Sequence, residues 1–509
     1  MTVTAKFSPV LCAACGAALA YYCLFPLYRS NVITLDALLV LAFIPVGFLS
    51  LLWALVSWPL MGDVNPQIIK WLHLMPLRLT AFAAGVAMGI GVGTSAVQSV
   101  SFGIPEDTVQ GISGVLLDDP RLVSGGRAMT TLSMRTIHGS GKVRVGARGE
   151  VTVFFPADSS LRLKEFGRGA EVFVEGALRE SVFNGSPAFT FFAETLHITA
   201  PAPLLERFRT NLRLDMTYRF TESPFGDSSW GGLALALLLG IRDNLDMGIA
   251  ALYRDSGCSH ILALSGMHLA VLVALISFLL KKPLGLRLAA ICGALFILAY
   301  CYIVGPLPSL NRAALMYLLG VMAILGMLKK DPLLLLCMAF LIQIAITPRA
   351  GLSLSFILSY LALAGILIIG ESLNGIFKGK IPAVLLLSLS ASVGAFLATA
   401  GVTAWFFGIL RPVGIVASLI LTPLTTVFMV GSMAWLALNL LAPSLSPLLS
   451  HPLSLLYQIM ERTAFVASKM PGIKAPSWLV LTLSLLCIAL ILWYERRRRL
   501  TANRVEPFA

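Results

Sequence analysis

The sequence predicts a polytopic α-helical membrane protein with one small β-rich region between its helices. Hydrophobic residues make up 57% of the 509 residues and charged residues only 12%, whereas about a quarter of an ordinary soluble protein is charged. Several apolar runs reach the roughly 20 residues that a helix needs to cross a bilayer. Between residues 105 and 200 the pattern changes to short alternating or β-branched runs separated by turn residues, which is typical of strands.

The apolar runs predict about 10 to 12 membrane-spanning helices. The first run follows Lys6 and looks like a secretory signal, but we interpret it as a retained span because further apolar runs follow at once. The candidate spans are residues 8–28, 34–58, 79–99, 259–280, 285–304, 312–328, 333–347, 351–370, 383–408, 413–441 and 478–494.

Glycine spacing in the span at residues 79–99 predicts a helix-packing face. Gly85, Gly89 and Gly93 are four residues apart, so they lie on one side of a helix. Small residues at this spacing allow a second helix to approach closely. We therefore expect another helix to pack there.

Cysteines and short motifs indicate no metal, cofactor or disulfide. All eight cysteines lie in or beside apolar runs, and the pair Cys12 and Cys15 has no second pair with which to bind a metal. Cysteine in such a run usually packs as a small apolar side chain. The sequence also lacks the phosphate-binding pattern G-x-x-x-x-G-K-[ST], so we expect no nucleotide hydrolysis by that route.

Basic loops predict how the chain is oriented in the membrane. Lys and Arg favour cytoplasmic loops, and here they recur at residues 281–282, 329–330 and 378–380 on alternate turns. With Lys6 and residues 70–78 also inside, the β-rich region lies on the outer face. Simple alternation then puts Arg496 to Arg499 outside. We therefore expect a broken or re-entrant segment after residue 380, with 413–441 suspected because it contains Pro423.

The β-rich region predicts a small closed barrel. Strand-like runs at residues 128–136, 150–155, 170–178 and 188–198 are separated by turn residues, which suits about five strands. Small barrels of the OB type bind single strands through a basic groove and aromatic platforms. The region holds 10 Lys and Arg against 11 Asp and Glu, so a structural or partner-docking role is the alternative. The candidate contacts are Arg127, Arg135, Lys142, Arg144, Arg148, Phe183, Phe189 and Phe191.

Residues 204–220 predict an amphipathic helix at the membrane interface. Four apolar residues recur at helical spacing, namely Leu205, Phe208, Leu212 and Met216. Four arginines lie elsewhere around the helix, namely Arg207, Arg209, Arg213 and Arg219. Helices of this kind rest on a bilayer surface, and guidance of an anionic strand is a second role open to these arginines.

Polar residues interrupt the apolar sequence most densely at residues 259–268, which read Ser-His-Ile-Leu-Ala-Leu-Ser-Gly-Met-His. Such groups are costly in lipid unless they face a partner or water, so they indicate a functional site. On one helix His260 and His268 would lie about 12 Å apart, too far to share a metal without other ligands. Ser265 and His268 would share a face, which leaves nucleophile-and-base catalysis open, but no acidic residue in the span could orient the histidine.

Four polar segments together carry a resemblance to a known family. They are residues 259–268, 308–316, 352–356 and 412–423. Their order and spacing, with the β-rich region before them, resemble the ComEC family of inner-membrane channels that carry transforming DNA into naturally competent bacteria. The resemblance covers most of residues 105–440. It implies an inner-membrane location, single-stranded DNA as the substrate, and an extracytoplasmic OB-like barrel whose bent strand is residues 167–176.

The resemblance also implies how the chain is divided. Residues 1–104 are N-terminal transmembrane helices, 105–200 the extracytoplasmic OB-like domain and 201–229 the amphipathic interfacial segment. Residues 230–441 are then the competence-type channel domain, and 442–509 hold the last transmembrane helix and a basic tail.

Passage of DNA requires that each phosphate stays hydrated or meets donors at bilayer depth. Arg312 is the best candidate for such a donor, although an arginine near the start of a span can also snorkel to the interface. The residues expected to line the path are His260, Ser265, Gly266, His268, Ser309, Asn311, Arg312, Ser353 and Ser355, with Ser359 beside them.

The resemblance implies partners that supply what this chain lacks. No Asp or Glu lies deep in the later spans to couple transport to protons, and only 10 residues follow Arg499, where long family members carry a metallo-β-lactamase-like nuclease domain. We expect no enzyme activity here. The expected partners are single-stranded DNA, the lipid bilayer, a DNA receptor on the outer face, a separate nuclease, and a cytosolic motor or single-strand-binding protein. The alternatives are a transporter of another anionic polymer or solute, and a membrane-embedded hydrolase that uses Ser265 and His268.

Single cysteines should reveal the predicted orientation. In a variant whose native cysteines are replaced by serine, Gly139→Cys and Ser159→Cys should react with an impermeant maleimide from outside, because the basic loops hold the other side in the cytoplasm. Lys281→Cys and Lys329→Cys should react only after permeabilisation. Labelling of the barrel positions from the cytoplasm alone would contradict this orientation.

Overall fold

The computed structural model describes residues 8–24, 75–96, 108–123, 127–139, 144–156, 167–183, 186–222, 228–328 and 331–505. The expected span at 34–58, the basic loops at 70–74 and 329–330, the candidate contact Lys142 and the side chain of Phe183 lie outside that part. The chain forms two compact units. We call them the membrane unit (Met1–Ala96, Met247–Met433 and His451–Ala509) and the barrel unit (Val97–Asp246 and Ala434–Ser450).

The strands of the barrel unit form a closed ring. Their bounds in the described residues are β1 (Val109–Leu116), β2 (Arg121–Val123), β3 (Arg127–Gly139), β4 (Arg144–Gly146), β5 (Glu150–Pro156), β6 (Glu171–Phe183) and β7 (Ser186–Ala200). The order β1-β6-β7-β5-β3 closes because β1 also pairs with β3. All these pairs are antiparallel except β5 with β7. The small five-stranded barrel predicted from the sequence is confirmed.

Alternation of apolar residues fills the barrel. Ile112, Leu132, Val153, Val172 and Phe191 are among the residues that point inward and are fully buried, because successive side chains of a strand face opposite sides. The run at residues 167–176, expected to be one bent strand, begins instead with a turn, and β6 starts only at Glu171. Gly169 lies in this turn with a φ of 84°, a conformation that favours glycine and is incompatible with a strand.

Two helices described in the N-terminal part of the membrane unit pack through the predicted glycine face. These are α1 (Pro9–Leu19), which continues as a π-helix over Ala20–Leu24, and α2 (Met75–Ala96). A Cβ at Gly85 would collide with the carbonyl of Ala13, and one at Gly89 with the carbonyl of Ala17. The backbones can approach this closely only because both positions lack a side chain.

Helices α3 (Leu204–Thr221) and α4 (Ser228–Leu239) follow the barrel. On α3, the guanidinium of Arg209 is 3% exposed and lies 2.6 Å from a carboxylate oxygen of Asp119 and 3.1 Å from one of Glu206. This arginine therefore ties α3 to the loop after β1 and is not available to a strand of DNA. Leu205 and Phe208 are 71% and 65% exposed on the same helix.

The remaining helices belong mostly to the membrane unit. They are α5 (Met247–Asp255), α6 (Ser259–Leu262), α7 (Gly266–Val304), α8 (Pro308–Leu325), α9 (Pro332–Ile346), α10 (Leu354–Gly365), α11 (Glu371–Phe377), α12 (Ala383–Phe407), α13 (Val413–Leu441), α14 (Pro447–Ser468) and α15 (Ser477–Val505). A π-helix over Ile366–Gly370 joins α10 to α11. Among the described residues, 7 helices are long and apolar enough to cross a membrane. The prediction of a polytopic membrane protein with a β domain is confirmed.

Helix α7 consists of two helical segments. Gly285 has a φ of 75° and a ψ of 172°, and Pro283 lies two residues before it. Proline cannot donate a helix hydrogen bond, and a positive φ suits glycine, so the two together interrupt the helix. Pro283 lies between the two spans that the sequence predicts at 259–280 and 285–304, and Gly285 is the first residue of the second.

Two expectations for the C-terminal third are wrong. The segment 413–441 is not broken at Pro423, since α13 is one helix that contains this proline. Neighbouring helices and hydroxyl groups allow proline within membrane helices. The sequence analysis also assigned no helix to Pro447–Ser468, where α14 forms. Its 22 residues match the length of a bilayer crossing, but α14 is not among the 7 helices that are also apolar enough.

The tie between α3 and the barrel can be tested at Asp119. Replacement by alanine removes the carboxylate that lies 2.6 Å from the buried guanidinium of Arg209, so Asp119→Ala should lower the free energy of unfolding by about 3 kcal/mol. Hydrogen exchange of the full chain in nanodiscs should show α3 losing protection. The control is Asp118→Ala, because the backbone carbonyl of Asp118, and not its side chain, binds Thr130. Equal protection in the two variants would contradict the tie.

Candidate functional site

The polar segment at residues 259–268 contains a break between two helices. Helix α6 ends at Leu262, Ala263 and Ser265 are extended, with ψ of 124° and 168°, and α7 begins at Gly266. The interpretation of 259–280 as a single helix is therefore wrong. Serine before a helix is a favoured N-cap, and here the Ser265 N–H donates to Nδ1 of His268 at 3.0 Å. This hydrogen bond caps the start of a new helix inside an apolar run.

One ring nitrogen of His268 accepts a hydrogen bond in the helix cap, and the other has no partner among the described residues. Since Nδ1 accepts the Ser265 N–H, a neutral ring carries its proton on Nε2. The side chain is 1% exposed, and Nε2 has no hydrogen-bond partner among the described residues. The Ser265 hydroxyl lies 3.4 Å from Nδ1. A nitrogen already occupied by a backbone N–H is a poor base for that hydroxyl, which counts against the hydrolase alternative.

Gly266 brings the start of α7 against α8. A Cβ at this position would lie 3.0 Å from Nη2 of Arg312 and 3.1 Å from Cβ of Ala313. Both distances are tight for carbon, so a larger residue would push α8 away. Glycine here therefore places the guanidinium of Arg312 beside the N-terminus of α7.

Arg312 is a buried cation without a carboxylate. It is 8% exposed, so it lies among the helices of the unit. Its Nη1 donates to the backbone carbonyl of Ser359, and the guanidinium carbon lies 5.8 Å from the centre of the Tyr360 ring. Nε has no hydrogen-bond partner, and no carboxylate of the described residues interacts with the group. The charge is thus only partly compensated.

A buried hydrogen-bond chain fixes the surroundings of Arg312. The Tyr360 hydroxyl donates to Oε1 of Gln343 at 2.9 Å, and Nε2 of Gln343 donates to the carbonyl of Pro308 at 3.2 Å. These bonds join α10, α9 and the start of α8. The sequence analysis missed Gln343 and Tyr360. A single glutamine in the apolar run at 333–347 is the signal that could have identified the first of them.

The other predicted path residues fall into different environments. Hydroxyls of Ser309 and Ser355 lie 3.3 Å apart and so join α8 to α10. Ser353 is the N-cap of α10, where its hydroxyl donates to the Ala350 carbonyl and accepts the Phe356 N–H. Asn311 is half-buried and His260 is exposed.

The fourth polar segment, with Arg411 directly before it, contacts the chain just before the same helix break. Arg411 donates to the backbone carbonyl of Asp255 at 2.6 Å and to its carboxylate at 3.0 Å. Gly414 packs directly against Gly257, and the Cys258 thiol lies 3.9 Å from the Gly414 carbonyl. The first, second and fourth segments, far apart in sequence, thus meet around α6 and the beginning of α7, and the third joins the second through Ser309 and Ser355.

The candidate residues on the barrel do not form one basic surface. Arg135 pairs with Glu171, and Nε of Arg144 donates to Nδ1 of His138 at 3.4 Å. Burial, then the Arg144 cation, lowers the pKa of His138, so this ring is neutral at pH 7. Arg148 and Arg127 are exposed.

The phenylalanines predicted to contact DNA belong to the inside of the barrel. Phe191 is fully buried and Phe189 packs against the same core. The expectation that Phe189 and Phe191 contact DNA from the surface of the barrel therefore does not match the structure. Outward-facing aromatic residues are found instead at Phe154 and Phe192, whose rings stack with centres 5.4 Å apart.

A family model described as "Competence protein" matches residues 237–498. The match covers just over half of the chain and includes all four polar segments. The chain therefore belongs to the competence protein family.

Two relatives show how far the similarity extends. An uncharacterized protein from Aquifex aeolicus (strain VF5) is 27% identical over 261 residues, which are 50% of this chain and 60% of the relative. ComE operon protein 3 from Bacillus subtilis (strain 168) is 28% identical over 181 residues, or 35% of this chain and 23% of the relative. The aligned part is thus less than two thirds of either relative. No solved structure matches.

The close approach at Gly266 predicts a selective packing defect. Gly266→Leu should destabilise the membrane unit by about 1–3 kcal/mol, because the side chain meets Arg312 and Ala313. Gly320→Leu is the control, since a Cβ there meets nothing within 4 Å. Thermal unfolding of the purified protein in nanodiscs measures both. Equal midpoints would show that α7 and α8 do not pack as described.

Proposed function

We propose that this chain is a channel that imports single-stranded DNA through the membrane unit. The observation that carries the proposal is the buried cation of Arg312 beside the N-terminus of α7. An unpaired buried charge is costly, and the positive end of a helix dipole next to it also favours an anion. A phosphate that enters this position compensates both.

The chemistry of the meeting point suits a passing polyanion. Its described side chains include hydroxyl, imidazole, amide and guanidinium groups, and the Asp255 carboxylate is already bound to Arg411. Anion paths use donors of this kind with little negative charge. The proposed lining is His260, Ser265, Gly266, His268, Ser309, Asn311, Arg312 and Ser355, whereas Ser353 acts mainly as a helix cap.

The proposal includes an orientation and a division of labour. The barrel lies on the outer face of the cytoplasmic membrane, and the segment at 201–229 rests on the bilayer through Leu205 and Phe208. A receptor delivers the strand, a separate nuclease prepares it, and a cytosolic motor or single-strand-binding protein draws it inward. The membrane unit itself supplies passage without catalysis.

A transporter of another anionic polymer or solute would use the same cation. The two proposals differ in the cargo alone, so uptake of labelled polyphosphate by the unchanged protein is measured beside uptake of labelled DNA. Uptake of polyphosphate in place of DNA would favour the alternative.

Changes at Arg312 should reduce uptake according to charge. Arg312→Leu and Arg312→Gln should lower uptake of labelled DNA by about tenfold or more, since a charge-assisted hydrogen bond contributes about 1.5–3 kcal/mol. Arg312→Lys should retain part of the activity because it keeps the charge but loses the planar fork. Uptake by cells with equal amounts of inserted protein is the measurement.

A matched arginine on the same unit provides the control. Arg287 is exposed on α7, and Arg287→Gln should leave uptake unchanged. Normal uptake in Arg312→Leu cells would remove the phosphate role and with it the proposed path.

The cap at Ser265 distinguishes a channel from a hydrolase. In a channel, Ser265→Ala keeps most uptake, and His268→Asn loses less than His268→Leu because asparagine can still accept the Ser265 N–H. A hydrolase requires both groups, so its Ser265→Ala and His268→Asn variants would be equally inactive. Labelled-DNA uptake and hydrolysis by the purified protein are measured together. Loss of both activities in the two conservative variants would contradict the channel.

A further inference from the structure

Helix α15 carries one exposed face that changes along its length from apolar to aromatic to basic. Its members are spaced four, three and four residues apart, so they share one side of the helix. They are Leu486, Leu490, Trp493 and Arg497, and all are exposed. The guanidinium carbon of Arg497 lies 5.3 Å from the centre of the Trp493 ring. Of the 7 apolar helices that the structure describes, α15 is the least buried, with 11% of its span buried.

The length of this face matches one leaflet of a bilayer. From Leu486 to Arg497 the helix rises about 16 Å, at roughly 1.5 Å per residue. Half of a hydrocarbon core of roughly 30 Å is about 15 Å. The leucines therefore lie at the depth of acyl chains, and the indole of Trp493 lies at the interface, where tryptophan is enriched. The guanidinium lies at the level of the headgroups.

The end of α11 lies beside the basic end of α15. Nη1 of Arg498 donates to the backbone carbonyl of Gly375 in α11. Phe377 is the last residue of this helix, and Nζ of Lys380 lies 5.9 Å from the centre of its ring. Each of the two helix ends thus combines an exposed aromatic ring with a cation. The arginines of α15 and Lys380 lie at the same end of the membrane unit, whereas simple alternation of the predicted spans puts them on opposite sides.

Cations outnumber carboxylates at this end of the two helices. Residues 371–380 and 493–498 contain five Lys and Arg against two carboxylates, Glu371 and Glu495, which is a net charge of +3. Even with both carboxylates paired to cations, the positive charge of this end is therefore not balanced within the two segments. We define the basic-aromatic face as Phe377, Lys380, Leu490, Trp493 and Arg497.

We propose that the basic-aromatic face binds an anionic phospholipid of the leaflet that the basic loops predict to be cytoplasmic. Lys380 and Arg497 meet the headgroup, because cations next to a membrane surface attract anionic lipids. Leu490 meets an acyl chain, and the ring of Trp493 lies between the two regions. The bound lipid connects the end of α11 to the end of α15. This site goes beyond the proposed function and does not depend on the cargo of the channel.

The order of the residues favours a lipid over other anionic partners. A nucleic-acid strand or an acidic protein segment would meet the cations as well as a headgroup does. Neither of them would gain from leucines that lie at the depth of acyl chains. A phospholipid has an anionic end and apolar chains in the same order as the basic and apolar residues of α15.

Native mass spectrometry of the full chain, titrated with phosphatidylglycerol in a neutral detergent, tests the site. The double variant Lys380→Gln with Arg497→Gln should weaken binding of the first phosphatidylglycerol by about tenfold, because it removes both cations of the face. Lys380→Arg with Arg497→Lys keeps both charges and should bind as the unchanged protein does. The matched control is Lys281→Gln with Lys282→Gln, which removes two exposed cations from another basic loop and should leave binding of the first lipid unchanged.

Equal loss of binding in the two glutamine variants would show that the lipid responds to overall charge alone, and would overturn the proposal. Competition then identifies the chemistry that the face recognises. Glycerophosphoglycerol, the headgroup without its chains, should not displace the bound lipid, and neither should oligo-dT. Displacement by the first would assign the face to a free phosphate, and displacement by the second to nucleic acid, and either result would contradict a lipid site.

Discussion

A guanidinium that is buried among helices needs groups that compensate its charge, and no carboxylate of the described residues does so for Arg312. Arg312 receives a carbonyl from Ser359 and the face of the Tyr360 ring, and these groups lower the cost of burial without neutralising the charge. A carboxylate in their place would satisfy the arginine permanently and would repel a phosphate. Because the positive charge of Arg312 is not neutralised, this position favours an anion.

The helix break at Ala263 to Ser265 and the glycine that follows it determine where this cation lies. Because α7 starts at Gly266 instead of continuing from α6, its N-terminus faces Arg312 directly. The bond from Arg411 to Asp255 holds the chain just before the break, and the chain from Tyr360 through Gln343 to Pro308 holds the helices behind it. Residues of the first, second and fourth polar segments therefore position the same small region.

Periodicity and composition were sufficient for the large features, because membrane spans, the glycine face and barrel strands depend on residue spacing. Gly85 and Gly89 illustrate this, since their packing follows from a four-residue repeat. Arg312 could also be selected from the sequence, as the only arginine in an otherwise uncharged segment at 308–316. The break before Gly266 could not, because the same residues at the same spacing also fit one helix. Only the bond between Ser265 and His268 decides between the two.

The barrel shows a second limit of sequence reasoning. Phe191 and Phe192 are adjacent, yet one fills the core and the other faces outward. A change of one residue in the assumed phase of a strand exchanges its two faces, so the aromatic residues selected from the sequence were those of the inner side. Strand β1 was not identified, since Gly111 and Gly114 interrupt its apolar pattern.

Photo-crosslinking during transport tests most directly whether DNA passes beside Arg312. A photoreactive amino acid at Ser309, next to Ser355 and one helical turn before Arg312, is illuminated while cells take up a DNA strand whose trailing end carries a bulky protein block. The account predicts crosslinks between position 309 and the arrested strand, and none from the same amino acid at the exposed position Arg287. Arrested uptake without a crosslink at 309, or equal crosslinking at both positions, would contradict a DNA path at this site.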